Sequence, residues 1–305
     1  MPETAHGKTG FRFGLVAVVG RPNVGKSTLV NRILGEKLAI ISDKPQTTRN
    51  LIRGVFSRDD CQIVFIDTPG IHKAREQINR YMVQKALSTF QESDLILFLV
   101  EPAPALGKGD QVIGGLLSEV STPIFLLVNK IDRVFGEERE EVLGFYRRAF
   151  PSMKLFPVSA LKGEGVPDLI ERIVALLPEG EPHFNPDEFT DQPIRFLCAE
   201  LIREKVFRFT GEEIPYSVAV EVSSFQERPE DSSAPVYIEA NLHVERPSQK
   251  GILIGQGGRM LKRIGTAARM EMERLLGVKV VLKLWVKVTR GWKNDPQTLR
   301  RLGYR

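Results

Sequence analysis

The sequence predicts a mainly parallel α/β domain followed by a smaller α+β domain, and three features of its 305 residues lead there. Over the first 180 residues, short and nearly continuous apolar runs alternate with amphipathic stretches. That is the pattern of strands covered on both faces by crossover helices. Next come four prolines (Pro178, Pro182, Pro186, Pro193) among acidic residues, which mark a linker over 181–193. Beyond the linker the pattern changes to the order α-β-β-α-α-β over 194–290, with a basic tail at 291–305.

In the first domain (11–180) strands are expected at 13–20, 51–57, 61–67, 94–101, 123–130 and 154–160. Helical periodicity occupies 26–34, 76–92, 110–119, 137–150 and 166–177. Only Arg58-Asp59-Asp60 separates the second strand from the third, so these two form a hairpin and one strand is antiparallel. In the second domain a helix covers 194–209, and two alternating strands at 216–225 and 236–245 are joined by a polar turn over 227–235. A short helix at 248–254, a longer one at 259–276 and a strand at 278–289 complete it.

Composition excludes several classes. Hydrophobic residues make up 42% and charged residues 27%, which permits a core and argues against global disorder. No apolar run approaches the roughly 20 residues of a membrane span. The first apolar stretch runs into a glycine-rich motif rather than a cleavage site, so no signal peptide is expected. Two cysteines, Cys61 and Cys198, give neither a disulfide framework nor a metal knuckle, and His6, His72, His183 and His243 show no ligand spacing. A reducing cytoplasm is the expected compartment. The net charge of +5 hides a gradient. Residues 1–180 hold 23 basic against 21 acidic residues, 181–244 hold 5 against 13, and 245–305 hold 15 against 4. So basic a final fifth points to a polyanion, either nucleic acid or an acidic membrane surface.

Gly20-Arg21-Pro22-Asn23-Val24-Gly25-Lys26-Ser27 matches GxxxxGK[ST] and stands between a predicted strand and a predicted helix. Its glycines let backbone N–H groups turn inward around phosphates, and the helix N-terminus adds positive potential. Lys26 is expected to reach the β- and γ-phosphates, Ser27 to ligate magnesium, and Thr28 to meet the α-phosphate. Asn129-Lys130-Ile131-Asp132 ends a strand further on. A carboxylate at Asp132 accepts two hydrogen bonds from guanine, which adenine does not offer, so GTP is favoured over ATP. Lys130 is expected to pack its stem on the base, Asn129 to tie this loop to the phosphate loop, and the Ser159-Ala160 backbone to meet guanine O6. Asp67-Thr68-Pro69-Gly70 closes the third strand: Asp67 would hold magnesium through water and the Gly70 N–H would meet the γ-phosphate. In Pro45-Gln46-Thr47-Thr48-Arg49 either threonine can serve as a further magnesium ligand by spacing alone.

These motifs stand in the order found in translation-factor-like GTPases, and the Thr47-Thr48-Arg49 version resembles the branch containing Era and the tRNA-modification GTPase. That resemblance implies Thr48 as the magnesium ligand. It departs from Ras-like enzymes at Ile71, which replaces the water-orienting glutamine and implies slow intrinsic hydrolysis. In relatives with an asparagine at the position of Asn23, potassium takes the place of an arginine finger, which implies potassium-stimulated turnover here.

Gly255-Gln256-Gly257-Gly258 forms a GxxG turn between two predicted helices. Such a turn lets a nucleic-acid backbone approach closely, with Lys250, Arg259, Lys262, Arg263 and Arg269 around it. Gly251 leads into it, and Ile252 and Ile254 can line a groove for unstacked bases. A lone GxxG is most often a mere hinge. Within GIxIGxxG and this element order it resembles a type II KH domain, a reader of single-stranded RNA, over 194–290. A GTPase domain followed by a KH domain is the arrangement of the Era family. The resemblance implies a monomeric GTPase that binds the 3′ end of small-subunit (16S) ribosomal RNA and assists small ribosomal subunit biogenesis. It also implies peripheral contact with the inner face of the cell membrane and a tail that aids RNA binding. Trp285 is expected in the core, while Trp292 is open between packing and base stacking. The alternative is a regulatory GTPase whose basic end docks on anionic lipid or a protein partner.

Overall fold

The computed structural model describes residues 10–41, 44, 47–70, 77–227 and 234–304, with residues 77–83 and 85 as backbone alone. Expectations placed on His6, Pro45, Gln46, Ile71, His72, Arg305 and the middle of the 227–235 turn fall outside these residues. The chain divides into two compact units, with the main break after Asp191; Ile40, Ile41, Lys44, Thr47 and residues 77–81 group with the second.

The first unit is built from β1 (Arg12–Gly20), α1 (Lys26–Leu34), β2 (Ile52–Arg58), β3 (Cys61–Asp67), α2 (Gln77–Glu92), β4 (Leu95–Val100), α3 (Lys108–Leu117), β5 (Ile124–Val128), α4 (Gly136–Ala149), β6 (Lys154–Pro157) and α5 (Val166–Val174). Its six strands lie in the order β2-β3-β1-β4-β5-β6. β2 runs antiparallel to β3 and every other pairing is parallel. Alternation explains why the central strands read as unbroken apolar runs. Val16, Val18, Leu95, Leu97 and Leu99 face α1 and α5, while Ala17, Val19, Ile96, Phe98 and Val100 face α2, α3 and α4. The strand order reverses at β1, so the crevice beyond its C-terminal end lies where open α/β sheets bind ligands.

β5 and β6 are shorter than expected. After Val128 the chain leaves the ladder: Lys130 takes a left-handed conformation (φ 62°), and the Ile131 N–H donates to Val158 O instead. The segment read as a linker is bonded along β2 as far as Asp191. The buried amide of Gln62 drives this, because a buried amide needs partners. Its Oε1 accepts from the N–H groups of His183 (2.7 Å) and Phe184 (2.9 Å), and its Nε2 donates to Phe184 O (2.9 Å). The Val55 N–H then donates to Phe189 O at 2.9 Å, the Thr190 hydroxyl to Arg53 O at 2.6 Å, and Arg53 pairs with Asp191 at 3.1 Å.

The second unit contains α6 (Ile194–Phe209), α7 (Ile214–Ser217), β7 (Ala219–Gln226), β8 (Val236–Val244), α8 (Pro247–Ile254), α9 (Arg259–Leu276), β9 (Val280–Val288) and α10 (Pro296–Arg301). β8 is central, antiparallel to β7 and parallel to β9. Val236, Ile238, Ala240, Leu242 and Val244 point to one face, where they pack with Ile202 and Val206 of α6 and Ile264, Ala268 and Met272 of α9. The first predicted strand starts at Ala219 rather than 216, because Pro215 opens the short helix α7.

One expectation about an aromatic residue is corrected, and one left open is decided. Trp285, read as core, is 55% exposed, since β9 turns it to the face away from α6 and α9. Trp292 is fully buried: its indole donates to Ser217 O at 3.2 Å, and its ring stacks on Tyr304 at 6.0 Å. The tail thereby folds back. Asp295 caps α10 by accepting from the N–H groups of Gln297 and Thr298, and Leu299, Leu302 and Tyr304 pack with Trp292 on Ala219. The packing arm of the Trp292 alternative is the one observed.

Candidate functional site

The loops after β1, β3, β5 and β6 converge at the crevice. The phosphate loop turns from β1 into α1 with Asn23 (φ 67°) and Gly25 (φ 102°) in left-handed conformations. A side chain at Gly25 would strike the Asn129 amide, so that position excludes a Cβ. Lys26 is almost wholly buried, and its ammonium donates to Gly20 O at 3.2 Å and Arg21 O at 2.9 Å. Burial pushes its pKa down to about 8, against the opposing charge of Asp67. This is a cation held short of solvent, suited to a phosphate.

Asp67 ends β3 fully buried, and desolvation raises its pKa despite Lys26 and two hydroxyls that favour the charged form. The Ser27 hydroxyl donates to its Oδ2 at 2.6 Å, and the Thr48 hydroxyl lies 3.3 Å from the same oxygen and 3.1 Å from Ser27 Oγ. Asp67 Oδ1 is buried and has no hydrogen-bond partner among the described residues. Three hard oxygens around an orphaned carboxylate oxygen fit a divalent cation such as magnesium. The structure separates the two threonines left open by spacing: the Thr47 hydroxyl turns away, to Lys44 O at 2.6 Å. Thr68 bonds Val18 O through its hydroxyl (2.7 Å). Gly70 sits against Pro22 so closely that a Cβ would come within 2.7 Å of the Pro22 nitrogen.

Asn129 is buried and bridges three loops. Its Nδ2 donates to Val24 O at 2.7 Å, and its Oδ1 accepts from the Ala160 N–H at 2.9 Å. Lys130 donates to Asn23 O at 2.8 Å and also binds the Glu101 carboxylate. Asp132 is held ionised, chiefly by a hydrogen bond from Ser159, with Lys162 at 3.7 Å. The N–H groups expected to read O6 are engaged, Ser159 with Glu164 O and Ala160 with Asn129. An O6 contact from Ala160 would have to be shared with Asn129. Thr28 lies on α1 beside Ser27. The sequence reading missed Glu101 and Asp110, which stand behind these loops, and gave no role to Arg21 within the phosphate loop; acids flanking a strand or helix end carry no motif, and Arg21 fills a position that the motif leaves variable.

In the second unit α8 ends at Gly255 (φ 69°), where a Cβ would come within 2.8 Å of Met260 Cβ. A single turn of 3-10 helix, Gln256–Gly258, follows, with Gly257 (φ 60°) and Gly258 (φ 78°) open to solvent space. Arg259 folds back to the carbonyl and side chain of Gln256. Lys250 and Ile254 are half-buried, Gly251 and Lys262 are exposed, and Ile252 is 48% exposed. Arg263 lies over the Phe209 ring at 4.2 Å, and Arg269 pairs with Glu273 at 2.8 Å, so these two cations already have intramolecular roles.

The family model described as a 50S ribosome-binding GTPase matches residues 15–130, and a KH domain model matches 213–293. The GTPase Era of Alkaliphilus metalliredigens is 48% identical over 294 residues, covering 96% of this chain and 99% of that protein. The Era of Geobacter metallireducens is 52% identical over 96% of this chain and 98% of its own length. The chain belongs to the Era family of GTPases. It is thus a GTP hydrolase with a P-loop domain followed by a KH domain. A solved Aquifex aeolicus Era, a point variant bound to GDP.AlF4-, shares 38% identity with this Era-family chain, covers 96% of it and superposes with a TM-score of 0.92. A solved Era in complex with MgGDPNP and nucleotides 1506–1542 of 16S ribosomal RNA matches equally well, at 38% identity and a TM-score of 0.92.

Proposed function

We propose that this GTPase binds the 3′ end of 16S ribosomal RNA and assists small ribosomal subunit biogenesis, with GTP and GDP held together with magnesium. The supporting observation is the match, over 96% of the chain, to a solved Era carrying MgGDPNP and a 16S fragment. The GxxG turn, with Gly257 and Ile252 exposed, leaves its backbone open to the close approach by which such turns clamp single strands. The RNA surface in this reading comprises Lys250, Gly251, Ile252, Ile254, Gly255, Gln256, Gly257, Gly258, Arg259, Lys262 and Arg263.

On the nucleotide, Lys26 and the loop N–H groups from Asn23 to Thr28 receive the phosphates. Ser27 and Thr48 hold magnesium directly and Asp67 through water. Magnesium, when bound, neutralises charge on the phosphate oxygens. The Gly70 N–H meets the γ-phosphate, and Asp132, with Lys130 and the Ser159-Ala160 turn, selects guanine. Asn23 would hold potassium, so turnover should rise when sodium is replaced by potassium; equal rates in the two salts would remove that part.

The RNA claim is tested with Gln256→Asp combined with Gly257→Asp. Affinity for a 16S 3′-end oligonucleotide should fall while GTP turnover is retained. RNA binding that survives would place the groove elsewhere. Among the described residues no helix is long and apolar enough to cross a membrane.

A further inference from the structure

A ring of polar contacts joins the phosphate loop to the base-reading loop by way of Asp110, Glu101 and Tyr146, which no motif contains. Arg21 leaves the phosphate loop and lays its stem across the start of α3. The slot exists because Gly109 lacks a side chain, whose Cβ would stand 2.6 Å from Arg21 Cδ and 2.8 Å from Cγ. The guanidinium Nε then donates to Asp110 Oδ1 at 2.8 Å. Asp110 is 1% exposed, and its Oδ2 has no hydrogen-bond partner among the described residues. On the other side Glu101, the residue after β4, binds Lys130, which donates to Asn23 O at 2.8 Å. Tyr146 of α4 is buried and donates to Glu101 O at 2.7 Å. Its phenol feels the charges of Asp110, Arg21 and Glu101, so it is electrostatics that completes the ring here.

A buried carboxylate with one bare oxygen is costly unless its other oxygen does something an apolar residue cannot. Here it anchors Arg21. The carbonyls of Gly20 and Arg21 are the two acceptors that hold the Lys26 ammonium, so the placement of Arg21 sets the placement of the phosphate-seeking cation. We propose that Asp110 is a positioning residue for guanine nucleotide, acting through Arg21 to fix the phosphate-loop backbone in its receiving form. The Gly109 slot and the Glu101–Tyr146 pair hold the ring from α3, β4 and α4.

The proposal rests on GDP occupying the phosphate loop, which a wild-type titration with fluorescent GDP checks separately. A wild type that bound no GDP would count against the nucleotide site itself. The test is dissociation of fluorescent GDP from the full chain in wild type, Asp110→Ala, Arg21→Ala and the double variant, beside their nucleotide-free unfolding midpoints. Each single change should speed release about 10-fold or more, the scale of a hydrogen bond to a charged group. The double should release no faster than the faster single, and Asp110→Asn, which keeps the shape and loses the charge, should release almost as fast as Asp110→Ala. Unchanged release, or effects of the two single changes that multiply in the double, would overturn the proposal. Should Asp110→Ala fail to fold, Arg21→Met carries the test, since it keeps the stem and drops the guanidinium.

A pH profile separates positioning from simple stability. Burial raises the Asp110 pKa, with Glu101 adding to the rise and Arg21 opposing it. Protonation frees Arg21, so wild-type release should accelerate as pH falls from neutral, and Asp110→Asn should give a flatter profile. Asp67, also raised, is common to both proteins, so the difference between the profiles belongs to Asp110. Superimposable profiles would sink the idea.

Discussion

Replacing Trp292 with alanine should cost the second unit about 3–5 kcal/mol, the usual toll for truncating a buried indole. The structure supports the upper part of that range. Trp292 is wholly buried, stacks on Tyr304, and donates to Ser217 O, which the substitution leaves unpaired. Its loss also opens the cluster with Leu299, Leu302 and Ala219. For a urea slope of about 2 kcal/mol/M, that is a fall in midpoint of roughly 2 M. Trp285→Ala, at an exposed site, should change stability by no more than about 0.5 kcal/mol. The chain has only these two tryptophans, so each variant isolates the emission of the other. Acrylamide should quench Trp285 freely in Trp292→Ala and leave Trp292 shielded in Trp285→Ala. Equal midpoint shifts for the two variants, or equal quenching of both indoles, would refute the assignment of Trp292 to packing.

Asn129→Ala leaves Val24 O and the Ala160 N–H without their partner. It should weaken GDP binding at least 10-fold while leaving tryptophan-monitored unfolding of the second unit unchanged; calorimetric titration checks the first and urea the second. Thr48→Ala should raise the magnesium concentration needed for half-maximal GTPase activity far more than Thr47→Ala, because only the Thr48 hydroxyl stands on Asp67; equal effects would contradict the ligand assignment. Burial lowers the Lys26 pKa from 10.5 to about 8 in the free protein, so the unfolded chain keeps its proton to higher pH. Stability of the nucleotide-free protein should therefore rise between about pH 8 and pH 10.5. A bound phosphate restores the charge, so GDP binding near pH 8.5 should take up close to one proton. Calorimetry in buffers of different ionisation enthalpy measures that uptake, and buffer-independent heats would dismiss it.

The parallel sheet was legible because buried strands are apolar on both faces, and the hairpin because only three residues part β2 from β3. The phosphate and base-reading motifs were legible because each needs particular residue types at a fixed spacing next to a strand. Spacing alone could not separate Thr47 from Thr48; only the path of the backbone puts one hydroxyl on Asp67 and the other on Lys44. Trp285 misled because alternation in β9 assigns faces without saying which face is covered. The tail misled because its positive charge obscured Asp295-Pro296, a cap followed by a first-turn proline, which is a helix start in its own right. Asp110 could not be singled out at all, since its meaning lies in Arg21, 89 residues away in sequence.

The strap that follows α5 bears on where this protein can be divided. Cutting at residue 180 would strip Gln62 of all three of its backbone partners beyond that point and take the Phe189 carbonyl from Val55. β2 would then present a bare outer ladder, ready to recruit another strand, and such a fragment should self-associate. A fragment retained through Asp191 carries its own cover.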